Sequence, residues 1–239
     1  MLTEEAHHMF VGETGILRIV DRTARAMAES KKEHPDDVRK LGVIDLPTMQ
    51  RYLNLWYSLS LDLFGGEISS NAASFFAAGL KGRAKEEQFE DHRALTGAYA
   101  MDVPKDGKVE REDVPLRNAM NEVLRDAYVE DCQRGVDKWN RAIAAHGVKD
   151  QLRLPSRRFH RHVGIYAGLY ADLDGNLITK EQWEARRDEW LPSDADRAYV
   201  RSLMTKPIYD PKQMANWISP PKQGIKGRPI DFEYVRHDA

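Results

Sequence analysis

The chain has 239 residues, 41% apolar and 31% charged, and its 36 basic and 38 acidic side chains leave a formal charge of −2. This near-balance excludes the basic face of a nucleic-acid binder, and the length suits one large domain or a domain with an appendage. One cysteine, Cys132, excludes a disulfide framework and a cysteine-rich zinc or iron–sulfur site within the chain, which fits a reducing cytoplasm.

No run of apolar residues is long enough to predict a transmembrane helix. The acidic opening does not read as a signal peptide. Leu2, Ala6, Met9, Phe10, Ile16, Leu17, Val20, Ala24 and Met27 recur at helical spacing and predict one amphipathic helix over residues 2–31. The chain enters this element in its middle, so Met1 reads as an internal methionine or a fragment boundary. Lys31–Lys40 reads as a charged linker. A second helix is expected from Pro47, a good first-turn residue, through Leu53, Trp56 and Phe64 to Gly65-Gly66. A third is expected over about Ser69–Leu80, with Phe75 and Phe76 buried, and residues 81–112 read mostly as loop. A long helix follows from about Val114 to His146, with Gly147 placed to end it.

The last third changes character. Alternating and aromatic residues from Gly164 to Thr179, around Asp174-Gly175-Asn176, predict a small β-ribbon. Helices are expected over Lys180–Trp190 and Ser193–Met204, with Ser193 as N-cap of the second. The five prolines of residues 205–239 predict an extended tail. Asp172 to Glu181 imitates a calcium loop, but its glycine comes too early for the twelve-residue pattern and a β-turn is the better reading. Cys132 reads as a buried inert thiol, and the five tryptophans as packing residues.

The chemical signal is Glu5-Ala6-His7-His8. A Glu and a His three residues apart lie on one helical face, where a carboxylate and a neutral imidazole can meet the same metal ions. Glu4 and His7 share the spacing, so the register has an alternative. At about 100° per residue Glu4 and His7 fall with Arg18, Arg22, Arg25 and Glu29, whereas Glu5 and His8 fall with Gly12, Gly15, Ile19 and Ala26, beside the apolar face. An inward-facing site favours Glu5 and His8, leaving Glu4 and His7 to support the ligands. A surface helix with Glu and His in its first turns explains the spacing without metal. Gly12 and Gly15 leave room for a substrate or a close helix, or serve ordinary packing. The densest basic cluster, Arg157, Arg158, His160 and Arg161, is a candidate for phosphate binding, with a solvated basic loop as the alternative. Lys222, Lys226 and Arg228 form a weaker second candidate.

The segment Leu2 to Gly15, with Arg117–Trp139, Leu154–Arg161 and the run from Trp217 through Pro220-Pro221-Lys222 to Arg236-His237, resembles the oxygenase components of the benzoyl-CoA 2,3-epoxidase family of ferritin-like di-iron oxygenases. The resemblance covers essentially the whole chain and aligns it with a C-terminal half. It implies a mostly α fold: a partial ferritin-like bundle over residues 1–147 and a C-terminal extension with a β-ribbon over 148–239. In the wider family the ligand helix reads Asp/Glu-Glu-x-Arg-His, which sets Glu5 and His8 on its Glu and His. His7 stands where many relatives have Arg. The implied reaction uses a di-iron centre and O2 to epoxidise the ring of benzoyl-CoA in aerobic aromatic degradation, with electrons from NADPH through a separate flavin and iron–sulfur reductase. About six ligands from four helices are needed, so the iron site is incomplete here and a missing N-terminal half is the implied partner. A non-catalytic helical interaction module, or a small iron protein completed by dimerisation, are the other readings that the residues allow.

Overall fold

The computed structural model describes residues 2–71, 74, 97–204 and 216–219, with side chains from residue 7 onward. Most of the helix expected over Ser69–Leu80 and most of the Pro-rich tail lie outside the described residues.

Helix α1 spans Leu2–Ser30 and ends where Lys31 turns to φ 57°. The expected linker contains a short helix, α2, over Pro35–Arg39. Pro35 presets the first-turn φ, and Asp36 and Asp37 lie in the first turn, where carboxylates favour the helix N-terminus. Helix α3 spans Leu46–Asp62; Asp45 caps it by accepting from the Thr48 N–H at 2.9 Å.

The loop expected through residue 112 is instead, from residue 98, a regular antiparallel hairpin, β1 (Ala98–Lys105) and β2 (Lys108–Pro115). Its two-residue turn is Asp106-Gly107, both at positive φ (47° and 77°), the geometry that matches strand twist. Strand β2 takes residues expected to open the long helix. Helix α4 therefore begins later and spans Met120–Ala145. Gly147, at φ 78°, follows its end. The expected ribbon forms from β3 (Tyr170–Ala171) and β4 (Leu177–Ile178). Its turn is tied by Asp172, which accepts from the N–H groups of Asp174 and Asn176 at 3.0 and 2.9 Å. Helix α5 spans Lys180–Trp190 behind a Thr179/Gln182 capping box. Helix α6 spans Asp194–Met204, and the Ser193 hydroxyl accepts from the Asp196 N–H at 3.1 Å. The fold is mostly α with small antiparallel sheets. No helix among the described residues is long and apolar enough to cross a membrane.

The chain divides into two compact units. The first holds residues up to Arg51, Gly135–Arg153 and the chain from Pro192 onward; the second holds Tyr52–Arg134 and Leu154–Leu191. Residues on both sides of the expected 147/148 boundary therefore occur in the first unit.

The first unit buries Val20, Ala24, Met27, Val38 and Val43. It is laced by a charged network. Asp196, 3% exposed, accepts from Arg39 at 2.6 Å and from Arg51 at 2.8 and 2.9 Å, while Arg39 also reaches Asp45 at 2.6 Å. Burial opposes ionisation of Asp196, but Arg51, Ser193 and Arg39 outweigh it and hold the carboxyl well below its usual range.

The second unit buries Phe159, Trp183, Trp190 and Leu191 in one cluster and Met101, Val114 and Ala119 in another. Trp183 and Trp190 thus pack as expected. Trp56 does not: 62% of it is exposed on α3, because its neighbours in phase leave it outside both clusters. Cys132 is half-buried, and burial raises its thiol pKa, which keeps it a weak nucleophile.

Candidate functional site

In the first unit the first turns of α1 carry the expected metal pair. His7 and His8 are exposed, and the side chains of Glu4 and Glu5 lie outside the described residues. Among the described residues no group of three or more His, Cys, Asp or Glu is arranged to hold a metal. One carboxylate and one imidazole suit iron in donor type, but they do not fill a di-iron centre of about six protein ligands.

Helix phase gives these turns a context. At about 100° per residue, Met9, Ile16, Val20, Thr23 and Met27 fall within about 60° of one another. Val20, Thr23 and Met27 are at most 5% exposed, yet Met9 is 68% and Ile16 43% exposed. One face of α1 is therefore core at its C-terminal end and uncovered at its N-terminal end. A Cβ built at Gly12 or Gly15 meets nothing within 4 Å, so both glycines adjoin open space. The opposite face is less solvated than its arginines suggest. Arg18 donates to the Ser219 carbonyl at 2.6 Å and Arg22 to that of Asn216 at 2.8 Å.

In the second unit the guanidinium groups of the basic cluster are paired with carboxylates. Arg157 donates to Asp126 at 2.6 Å and to Glu122 at 2.8 Å. Arg158 pairs with Asp102 and donates to the Gly175 carbonyl at 2.9 Å. Arg161, 4% exposed, donates to Asp62 at 2.6 Å and lies 2.8 Å from Glu67. Beside them Arg125, fully buried, contacts Glu67 and Glu122 and donates to the Gly65 carbonyl at 2.6 Å. Burial and the neighbouring Arg161 push the Arg125 pKa down to about 10, against the pull of Glu67. For Arg157, burial works against the charge, but the Asp126 carboxylate outweighs it and raises the pKa.

The guanidinium groups of Arg157, Arg158 and Arg161 border a cavity of about 130 Å³, also lined by Glu67, Glu122 and Asp102. An anion entering it meets carboxylates already holding the arginines, and the Arg161–Glu67 pair among them is buried. The network instead ties the segment around Arg157–Arg161 to α4, β1 and the end of α3. Gly164 belongs to the same design. At φ 89° it passes so close to Glu67 that a Cβ would overlap the carboxylate, while the Ile165 N–H donates to Glu67 Oε2 at 2.8 Å.

His160 stands apart from its arginine neighbours. Its backbone is left-handed, φ 51°, and its ring stacks on Trp183 at 5.7 Å and 15°. Burial, and secondarily His162, push its pKa down to about 4, so it is neutral at pH 7 and contributes nothing to a basic patch. The carboxylates of the network were not visible in the sequence as partners, because Asp62, Glu67, Asp102, Glu122 and Asp126 are scattered along the chain. The local sign available in the sequence is the apolar Phe159 inside the basic run, a fully buried position.

No protein-family model matches the chain. It is 48% identical over 238 residues to a benzoyl-CoA oxygenase component B of Aromatoleum evansii, a match that covers 99% of this chain and 50% of that protein. The chain thus spans about half the length of this curated relative, and likeness of that extent along its whole length identifies it as a relative of that oxygenase component.

Proposed function

We propose that this relative of benzoyl-CoA oxygenase component B forms part of such a component, and that Glu5 and His8 supply one carboxylate and one imidazole to a di-iron centre whose other ligands come from outside these 239 residues. The observation that carries the reading is the 48% identity over 99% of the chain, set against 50% coverage of the relative. The uncovered stretch of α1 supports it. A helix whose apolar face continues past its own core needs a further partner, and Glu5 falls in phase with that face.

In this reading the substrate is benzoyl-CoA and the product its 2,3-epoxide, within aerobic breakdown of aromatic compounds. Bound iron would supply the activation of dioxygen, one atom going to the ring and the other to water. Electrons come from NADPH through a separate flavin and iron–sulfur reductase. The Glu5 carboxylate and the His8 imidazole would anchor the metal, with Glu4 and His7 orienting them; in the alternative register Glu4 and His7 are the ligands. Arg157, Arg158 and Arg161, already neutralised, hold the fold rather than the coenzyme A phosphates.

The test joins this chain in one polypeptide to the remaining half of the Aromatoleum evansii component and measures reductase-dependent oxygenation of benzoyl-CoA. His8→Ala should abolish turnover while His7→Ala retains a measurable part of it. An active His8→Ala enzyme, or a fusion that is folded and inactive, would refute the assignment.

A further inference from the structure

Outside the arginine network, the second unit brings two imidazoles edge to face, nitrogen to nitrogen. His160 Nε2 and His162 Nε2 are 3.3 Å apart, with ring centroids at 4.5 Å and planes at 79°. Their surroundings differ. His160 is held by its stack on Trp183 and by its φ of 51°, a conformation that a non-glycine residue adopts at a cost. The His162 backbone N–H donates to Asp62 Oδ2 at 2.9 Å, and Asp62 Oδ1 accepts from Arg161 at 2.6 Å. The His160 ring is thus held against Trp183, and the backbone at residue 162 is held by Asp62, which sets the two imidazoles side by side.

Two nitrogens at that separation have two uses. With one proton between them they make an N–H···N hydrogen bond. With none, the separation matches two donors on one cation: bonds of about 2.0–2.1 Å at a tetrahedral angle span about 3.3–3.4 Å between donors. We propose that His160 and His162 form a two-imidazole site for a divalent transition-metal cation. Imidazole suits copper, zinc and nickel, and copper(II) binds most tightly in the usual order. The remaining positions are open to water or an outside ligand, since His162 is exposed and Asp62 is already engaged by Arg161 and the His162 N–H. Among the described residues no third side chain completes the set. Two charged groups bear on His160 besides His162: Arg187 opposes a cation and Asp62 favours one.

The experiment titrates CuCl2, and separately NiCl2 and ZnCl2, into the full chain carrying His7→Ala and His8→Ala, so that the N-terminal pair contributes no binding. Calorimetry gives stoichiometry, and quenching of tryptophan fluorescence reports a metal beside Trp183. One copper per chain should bind and quench. His162→Gln and His160→Asn should each weaken binding at least tenfold; Asn tolerates the left-handed backbone at residue 160, and circular dichroism verifies the fold. Absence of saturable binding overturns the site, as does binding that survives either substitution in a folded variant.

Discussion

Replacing Asp196 by Asn removes one negative charge and almost no volume, which makes it a clean probe of the first unit. The carboxylate accepts from Arg39 at 2.6 Å, from Arg51 at 2.8 and 2.9 Å, and from the Ser193 N–H and hydroxyl at 3.0 and 2.9 Å. Removing one partner of a fully buried ion pair costs about 3–5 kcal/mol. Here the Arg39 and Arg51 side chains remain 22% and 17% exposed, and Asp45 still faces Arg39, so rehydration and the second carboxylate reduce the loss to about 2–3 kcal/mol. For a chain of this size that lowers the melting temperature by roughly 4–12 °C. The pH dependence has a definite sign. The folded carboxyl is depressed relative to the unfolded one, so its stabilisation is fully present above the unfolded value of about 3.9 and declines as pH falls from there through the folded value. Thermal melts followed by circular dichroism should show a constant gap between wild type and Asp196→Asn from pH 5 to 8 and convergence in acid. A gap below about 0.5 kcal/mol at pH 7, the range of an ordinary surface substitution, would refute the network as a stabilising element.

Three further outcomes follow from the same geometry. Gly164→Ala forces Glu67 off Arg161 and the Ile165 N–H and strains a backbone at φ 89°, so denaturant unfolding should show a loss of about 3 kcal/mol or more. Ile16→Glu should leave the stability of this chain within about 0.5 kcal/mol of wild type, while Val20→Glu, which falls on the same stripe but in the core, should prevent folding as judged by circular dichroism. Arg157→Gln should lower the melting temperature by roughly 2–8 °C, for a loss of about 1–2 kcal/mol, without changing benzoyl-CoA affinity in the complete component, measured by calorimetry.

The sequence made the helices legible because their apolar residues recur at a period the core enforces: α1, α3, α5 and α6 lie within a few residues of their expected bounds. The hairpin was harder. Lys105, Asp106, Lys108, Glu110 and Arg111 hide the two-residue period, since only Met101 and Val114 of the two strands are buried; Asp106-Gly107 was its one local signal. The start of α4 shifted for the same reason, Val114 serving the hairpin core rather than a helix. For the basic cluster, composition revealed the cations but not the acids that neutralise them, because an ion pair between Arg161 and Asp62 spans a sequence distance that no local pattern records. The Glu5/His8 pair is readable only as a spacing and a phase, because two donors do not specify a centre that needs about six.

The most direct measurement is the iron content of the polypeptide that joins this chain to the remaining half of the related component. We expect two irons per polypeptide, with Glu5→Ala and His8→Ala each losing at least one while circular dichroism shows an unchanged fold. Two irons retained in both variants would contradict the assignment of these residues as ligands.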